Sequence, residues 1–293
     1  MDYIPTKSIL MKTRTRDWFG TDYTMNLYKG CHHGCVYCDS RSDCYQIDEF
    51  DKVRGKGFAS ELLNQELQSK REKGVIGAGS MSDPYNYCEK RELLTRKSLE
   101  LCHHHGFGMS LATKSELVTR DIELFQAIQA HSPVNISLSF CTVDDHLGKQ
   151  LERHVSLPSN RLAALEKLAK AGIYTGVMLM PVLPFITDNW QSIKEVIVKA
   201  SQSGAKYVYP MFGMTLRDRQ RDHYYAFLAT YYPEKLSLYQ KVYGNQYYCD
   251  SPNHQELSIK LKELCHELGL SVTMSSIISG YQRQYHVEQG QLF

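Results

Sequence analysis

Two patterns of hydrophobic residues, one typical of strands and one typical of helices, alternate about six times along residues 22–211. Short apolar runs typical of buried β-strands alternate with stretches in which apolar residues recur every three or four positions, as on one helix face. The predicted strands are 23–28, 75–79, 108–112, 134–140, 174–180 and 206–211. The predicted helices are 58–73, 89–104, 117–130, 159–172 and 188–201. This order indicates a parallel α/β sheet with crossover helices, and six units predict an open, partial (β/α)6 barrel rather than a closed eight-stranded one.

The chain divides into two predicted regions. Residues 1–212 form the barrel, with 1–21 as a polar lead-in, and residues 213–293 form a helical C-terminal extension. The predicted helix 253–268 carries leucines on one face, which we expect to pack on the barrel. Residues 217–222 interleave three arginines with two aspartates, and tyrosine pairs follow. Such a pattern can bind single-stranded nucleic acid, but the acids dilute the charge, so a packed appendage is the preferred interpretation.

Composition places the chain among ordinary globular proteins. Of its 293 residues, 42% are hydrophobic and 23% charged, and the net charge is +2. A net charge this small is not typical of a nucleic-acid-binding protein, although it is compatible with a local basic patch. No run approaches the roughly 18 apolar residues of a membrane span. Nine cysteines without a signal peptide predict a cytoplasmic protein with free or metal-bound thiols.

Three cysteines form the densest group of candidate ligands. Cys31, Cys35 and Cys38 have the spacing C-x3-C-x2-C, and the predicted strand 23–28 leads into them. Soft thiolates select zinc, copper(I) or iron–sulfur clusters, and such short loops strain a disulfide. A closed zinc site needs a fourth ligand, which Cys44 or one of the histidines at 32 and 33 would supply. A 4Fe–4S cluster held by three cysteines instead keeps one iron open.

Polar residues stand where the next strands end. The second predicted strand is followed by Ser80, Ser82 and Asp83, the third by Thr113 and Lys114. The fourth carries Ser137 and Ser139 and is followed by Cys141. In a barrel of parallel strands these carboxyl ends meet at one face, where active sites lie. The pattern therefore predicts a site that includes the cysteines.

The cysteine spacing closely resembles the signature of the radical S-adenosylmethionine (SAM) enzymes. Within that superfamily the chain is similar to the spore photoproduct lyase-like subfamily, also described as DNA repair photolyase-like. The matching stretches are 30–38, 82–84, 112–114, 152, 161–165, 171–181, 184 and 187–188. Together they cover roughly residues 22–212. The resemblance implies the same partial barrel.

The resemblance also implies the cofactors. Cys31, Cys35 and Cys38 would bind a 4Fe–4S cluster, and Tyr37 would lie against the adenine of SAM. The methionine part of SAM would be held by Ser82, Lys114 and Ser137, with Ser80, Asp83, Thr113 and Ser139 as further candidate contacts. A lysine suits its carboxylate, and hydroxyl acceptors suit its amino group. An electron from an external donor of flavodoxin or ferredoxin type would cleave SAM to a 5′-deoxyadenosyl radical that abstracts hydrogen from a substrate.

The sequence departs from the lyase at two positions. The lyase carries its hydrogen-returning thiol two residues before the serine that matches Ser82, where this chain has Ser80. Asp39 replaces a tyrosine after the third cluster cysteine. Both changes argue against thymine-dimer repair by the same route. Cys141 is a candidate relocated hydrogen donor, although a small buried hydrophobe is the preferred interpretation for it.

Three functions follow as hypotheses. The first is a radical SAM enzyme acting on a nucleic-acid lesion or modified base. The second is a radical SAM enzyme acting on a peptide or small metabolite, and the third is a zinc-stabilised binding protein without turnover. The last residues, Gln289-Gly290-Gln291-Leu292-Phe293, resemble the peptide by which bacterial repair proteins bind the DNA sliding clamp. Chance similarity or simple packing of the tail is the alternative.

Overall fold

The computed structural model describes residues 1–289, with side chains through Tyr285. Its strands are β1 (Asp2–Ile4), β2 (Leu10–Lys12), β3 (Tyr23–Met25), β4 (Tyr28–Lys29), β5 (Arg54–Lys56), β6 (Val75–Ala78), β7 (Gly108–Thr113), β8 (Val134–Phe140), β9 (Thr175–Leu179), β10 (Val208–Pro210), β11 (Gly213–Thr215) and β12 (Tyr248–Asp250). Its α-helices are α1 (Ala59–Ser69), α2 (Glu89–Glu92), α3 (Leu94–His105), α4 (Ile122–Gln129), α5 (Asp145–Leu151), α6 (Pro158–Lys170), α7 (Trp190–Gln202), α8 (Asp218–Tyr231), α9 (Pro233–Tyr243), α10 (His254–Glu267) and α11 (Met274–Gln289).

A seven-stranded sheet forms the centre, in the order β10-β9-β8-β7-β6-β3-β2. Strands β3, β6, β7, β8, β9 and β10 run parallel, and β2 adds an antiparallel edge strand. The α/β prediction is confirmed: the sheet is mostly parallel, as in an open, partial barrel. The lead-in contributes β2, which the hydrophobic pattern did not predict.

Strand β8 shows how the sheet is buried on both faces. All seven of its residues are buried, including the polar Asn135, Ser137 and Ser139. A strand with a solvated face would expose its polar side, whereas central parallel strands are covered on both sides. Ser137 and Ser139 instead line an interior cavity. The alternation of apolar and polar residues along β8 therefore separates a face that packs against helices from a face that is directed into the interior of the barrel.

Two predicted elements are interrupted. The strand predicted at 23–28 is two strands, because β3 pairs in the large sheet while β4 pairs with β5 in a small three-stranded sheet. The helix predicted at 89–104 breaks at Leu93, which adopts a left-handed conformation with φ 58° between α2 and α3. Both breaks arise from local pairing and backbone geometry that hydrophobic periodicity does not report.

Two helix starts also differ from prediction. The segment predicted to begin a helix at residue 117 first forms a 3-10 helix, Glu116–Asp121, before α4. The helix predicted to begin at residue 188 begins at Trp190, and Asn189 caps it, because the Asn189 side chain accepts a hydrogen bond from the Ser192 amide at 3.0 Å. The Asp188 carboxylate instead accepts a hydrogen bond from the Ser251 hydroxyl at 2.8 Å. It thereby ties the barrel to the C-terminal region.

The C-terminal region contains helices, as predicted, and also the antiparallel pair of β11 and β12. Helix α10 packs against α7 and buries Leu257 and Leu261. Gln282 of α11 donates to the carbonyl of Gly20 at 3.1 Å, which connects the helix to the lead-in. The clamp-like peptide lies outside the described residues, apart from the backbone of its first residue. Within the described part of the chain, no helix has both the length and the apolar character of a membrane span.

Substituting Gly79 tests the close approach of β6 and β7. A Cβ on Gly79 would lie 2.1 Å from the Ala112 carbonyl oxygen, and its φ of +100° already disfavours other residues. We expect Gly79→Ala to lower the free energy of unfolding by more than about 2 kcal/mol, since the strand ends must separate in addition to the left-handed cost of about 1–2 kcal/mol. Gly172→Ala is the control, because its φ is +78° with nothing within 4 Å. Equal losses in denaturant titrations would contradict the steric argument.

Candidate active site

The cysteine loop, residues 30–38, is fastened by backbone hydrogen bonds on both sides. The Cys31 amide donates to the Phe50 carbonyl at 2.8 Å, and the Val36 amide donates to the Leu151 carbonyl at 3.0 Å. Gly30, with φ +81°, allows the turn into the loop, since a Cβ there would lie 2.5 Å from the Lys52 carbonyl oxygen. The loop is therefore positioned by contacts to two distant segments of the chain.

The loop forms one wall of a cavity of about 450 Å³, which we call the central cavity. Its other walls come from the carboxyl ends of β6, β7, β8 and β9. Every predicted site residue except Cys141 lines it: Cys31, Cys35, Tyr37, Cys38, Ser80, Ser82, Asp83, Thr113, Lys114, Ser137 and Ser139. The volume lies within the usual range for ligand pockets. The structure thus brings the predicted residues to one place.

The Cys31 and Cys35 thiols are buried, and Cys38 is half-buried. Burial raises the pKa of Cys31 to about 12, with a contribution from Asp83, and burial also raises the pKa values of Cys35 and Cys38. A metal that binds these sulfurs must displace their protons. Metal binding then supplies the stabilisation of the thiolates that burial withholds.

The candidate metal donors in the central cavity include three thiols. Among the described residues, no three His, Cys, Asp or Glu side chains are grouped as ligands of one metal ion. Two of the three candidates for a fourth zinc ligand do not line the central cavity. Cys44 is exposed, and His32 lines a different cavity. His33 does line the central cavity, with its Nδ1 3.6 Å from Asp83. Three thiols on one wall match the three cysteine ligands of an iron–sulfur cluster.

Asp83 organises the loop between β6 and α2. Its Oδ1 accepts from the Thr113 hydroxyl at 2.6 Å and from the Tyr85 amide at 2.8 Å. Its Oδ2 accepts from the Lys114 backbone amide at 2.8 Å. The carboxylate therefore joins the ends of two neighbouring strands and sets where Lys114 leaves the sheet.

Lys114 is the cation of the central cavity. Its Nζ lies 5.7 Å from the centre of the Tyr37 ring. Burial alone would lower the pKa of Lys114, but attraction to Cys35 and to Glu152 outweighs it, so the pKa is raised. The ammonium group stays charged at neutral pH and is suited to an anionic ligand group.

A buried ion pair lies behind the cysteine loop, and the sequence pattern assigned no role to its two residues. Glu152 and Arg161 are both fully buried, with their charged groups 2.5 Å apart. Glu152 also accepts a hydrogen bond from the Tyr37 hydroxyl, and Arg161 donates to the Ser139 carbonyl. Burial alone would raise the pKa of Glu152, but Arg161 and Lys114 hold it below its usual value. The sequence showed both residues only as parts of matching stretches.

The serine hydroxyls are engaged within the protein. The Ser82 hydroxyl donates to the Gly30 carbonyl at 2.6 Å, which connects the β6 loop to the cysteine loop. The Ser137 hydroxyl lies 2.6 Å from the Tyr207 hydroxyl, which in turn donates to Asn135 at 2.9 Å. A hydroxyl that donates once still has lone pairs for a ligand's amino group. These serines are held in place by the protein and keep acceptor capacity.

Cys141 lies outside the central cavity, whereas Asp39 lines it but is engaged by hydrogen bonds within the protein. Cys141 is 1% exposed and packs in an apolar cluster with Tyr37 and Leu151, without lining the central cavity. This placement gives the thiol no direct contact with a substrate there. Asp39 accepts from the Thr215 and Tyr45 hydroxyls, both at 2.6 Å. Its carboxylate serves as an anchor for the loop.

An apolar wall completes the central cavity and was not predicted as part of the site. It comprises Trp18, Phe19, Met178, Met180, Met211 and Met214. Trp18 is 49% exposed, and its ring centre is 5.7 Å from that of Tyr209. Trp18 belongs to the lead-in, whose sequence pattern predicted no definite element. The only feature of the sequence that could have indicated this part of the wall was a single tryptophan in a polar segment.

Comparison with known families decides the assignment. A family model described as the radical SAM superfamily matches residues 25–200. This chain belongs to the radical SAM superfamily. It is therefore an enzyme of a superfamily whose members bind SAM and an iron–sulfur cluster, and the three cysteines of the C-x3-C-x2-C motif line the central cavity.

Sequence relatives extend across bacteria and archaea. An uncharacterized protein of Mycobacterium tuberculosis is 30% identical over 260 residues, which is 86% of this chain and 75% of that protein. An uncharacterized protein of Methanocaldococcus jannaschii is 27% identical over 248 residues, covering 84% of this chain and 91% of that one. These names assign no substrate.

Among solved structures, the chain is similar to spore photoproduct lyase. A structure of that lyase complexed with dinucleoside spore photoproduct has a TM-score of 0.62 and 15% identity, covering 92% of this chain and 81% of that one. A structure of a point mutant of the lyase has a TM-score of 0.62 and 16% identity, covering 89% of this chain and 80% of that one. At this identity the similarity establishes the fold.

A double-mutant cycle tests the buried pair. We expect Glu152→Leu and Arg161→Leu each to cost about 3–5 kcal/mol in free energy of unfolding, because each leaves an unpaired buried charge. The double variant should cost less than the sum by at least about 1 kcal/mol. The exposed pair Glu166 and Lys170 on α6 is the control, where alanine substitutions should cost no more than about 0.5 kcal/mol. Additive losses at Glu152 and Arg161 would show that they do not act together.

Proposed function

We propose that the protein binds a 4Fe–4S cluster through Cys31, Cys35 and Cys38, binds SAM beside it, and acts on a nucleic-acid lesion or modified base. The observation that carries the proposal is the central cavity, which places three thiols opposite Lys114 and the polar ends of β6, β7 and β8. When bound, the cluster and SAM together supply a carbon radical that abstracts hydrogen. An external one-electron donor is then required as a partner.

The chain's own residues divide the binding task. Lys114 pairs with the carboxylate of SAM, since it is the ammonium group lining the cavity. Ser82 and Ser137 accept from the amino group, while Asp83 holds Lys114 and Thr113 in position. The Tyr37 ring, fixed by Glu152 and facing Lys114, forms a flat surface for the adenine. Enclosure excludes water and competing hydrogen donors.

The substrate proposal rests on the apolar wall and on the fold relatives. Trp18 and the methionines offer aromatic and polarisable surfaces on which a base can stack. The solved lyases of this fold include complexes with a dinucleoside photoproduct. The reaction outcome differs from that of the lyase in our proposal, because Ser80 is a poor hydrogen donor and Asp39 is engaged by Thr215 and Tyr45.

Cysteine substitution tests the cofactor part. After anaerobic reconstitution with iron and sulfide, the wild-type protein should absorb broadly near 400 nm and release 5′-deoxyadenosine from SAM under reduction. Cys35→Ala should lose both properties. Cys44→Ala is the control, because this thiol is exposed and does not line the central cavity. Zinc as the bound metal, or loss of the metal in Cys44→Ala, would contradict an open three-cysteine cluster.

DNA stimulation tests the substrate part. We expect ultraviolet-irradiated DNA to increase 5′-deoxyadenosine formation several-fold over the protein alone, because a bound substrate couples SAM cleavage to hydrogen abstraction. With substrate deuterated at the target carbon, deuterium should appear in 5′-deoxyadenosine. Undamaged DNA and a mixed peptide pool serve as comparisons. If irradiated DNA neither stimulates cleavage nor exchanges label, the proposal of a DNA photolesion as substrate is wrong while the cofactor proposal stands.

A further inference from the structure

A second cavity of about 650 Å³, the outer pocket, lies on the other side of the cysteine loop. Along the loop, residues 31, 33, 35 and 37 line the central cavity, whereas residues 32, 34 and 36 line the outer pocket. The two cavities share this segment of backbone as a wall but have no lining side chain in common. The outer pocket is therefore a separate cavity. Its volume lies within the range of pockets that bind small ligands.

Aromatic rings form much of the outer pocket. His32 lies 4.2 Å from Tyr87 between ring centres, and it is parallel to His154 within 10° at 6.3 Å. Helix α8 contributes Phe227 and Tyr231, whose ring centres are 5.1 Å apart. Tyr87 is 56% exposed and Tyr231 is 48% exposed. Large aromatic faces left open in a concave site are suited to stacking with a planar ligand.

The charges of the outer pocket favour an anion. Arg41 is already paired with Asp51, its Nη1 lying 3.0 Å from Oδ2, and Asp51 is the one carboxylate in the lining. Arg153 also lines the pocket and is exposed, and among the described residues it makes no ion pair or side-chain hydrogen bond. One guanidinium is thus available for a phosphate, which it can bind through two hydrogen bonds.

We propose that the outer pocket binds a nucleotide, with its base stacked on the histidine and tyrosine rings and its phosphate at Arg153. A cationic ligand would meet two arginines and no free carboxylate. A wholly apolar ligand would leave Arg153 and the histidines without partners. The nucleotide is either free in solution or one unit of a single strand. The proposal goes beyond the radical reaction and does not depend on it, because the two cavities are separate.

Binding measurements on the reconstituted holoprotein test this site. The cluster is kept oxidised and SAM is saturating, so that the central cavity is occupied. Titration calorimetry with adenosine 5′-monophosphate, adenosine and inorganic phosphate measures the separate parts of a nucleotide. Fluorescence anisotropy with a labelled short oligothymidylate measures a strand. Tyr231→Ala should weaken binding at least about fivefold because it removes a stacking surface for the base. Arg153→Ala should weaken binding at least about fivefold because it removes the two hydrogen bonds to the phosphate.

Matched controls lie outside both cavities. Arg71→Ala removes an exposed arginine, and Phe58→Ala removes an aromatic side chain that is 79% exposed. Both should leave binding unchanged. Because the four variants locate the binding whether or not SAM binds, failure of the radical SAM proposal leaves this test valid.

The outcomes separate the sources of the nucleotide. Monophosphate binding that both pocket variants weaken supports the proposal with a free nucleotide as ligand. Oligonucleotide binding alone, weakened in the same way, supports it with a strand as ligand. The proposal is overturned if no probe binds, if the pocket variants bind as the wild type does, or if inorganic phosphate binds as tightly as the monophosphate.

Discussion

Backbone hydrogen bonds between the cysteine loop and residues 151–154 are the constraint on which the site depends. The Val36 amide is bonded to Leu151, and the His154 amide is bonded to the His33 carbonyl. Between these two bonds lies Glu152, whose carboxylate is paired with Arg161 inside the protein. The loop therefore cannot move without disturbing a buried charge pair, which is expensive to separate. This arrangement gives a chain segment without long regular structure a defined position.

The same ion pair connects the loop to the barrel. Arg161 belongs to α6 and donates to the Ser139 carbonyl of β8, while Glu152 accepts from Tyr37. This one ion pair thus connects a crossover helix, a central strand and the cysteine loop. The side chains of Tyr37 and Ser139 line the central cavity from opposite elements. Its shape follows from this connection as much as from the sheet.

The loop also has two sides with different chemistry. Alternating residues place Cys31, His33, Cys35 and Tyr37 on the central cavity and His32, Gly34 and Val36 on the outer pocket. A ligand in either cavity contacts the same backbone segment. The family assignment concerns the inner side, because the cysteine signature defines it. The outer side is lined by residues outside the cysteine signature, such as Tyr87, Arg153 and Tyr231.

The sequence by itself determined the parallel α/β architecture, the cysteine motif and the polar strand ends, because hydrophobic period and cysteine spacing are local properties. Periodicity placed β7, β8 and β9 correctly, whereas the break at Leu93 and the division of residues 23–28 depend on neighbours that the pattern does not contain. Only the tertiary structure decided that Cys141 lies behind Tyr37 and outside the central cavity, that Glu152 meets Arg161, and that Trp18 forms part of a wall. The physical reason is that burial, charge pairing and cavity walls arise from residues far apart in the chain, whose meeting is set by packing.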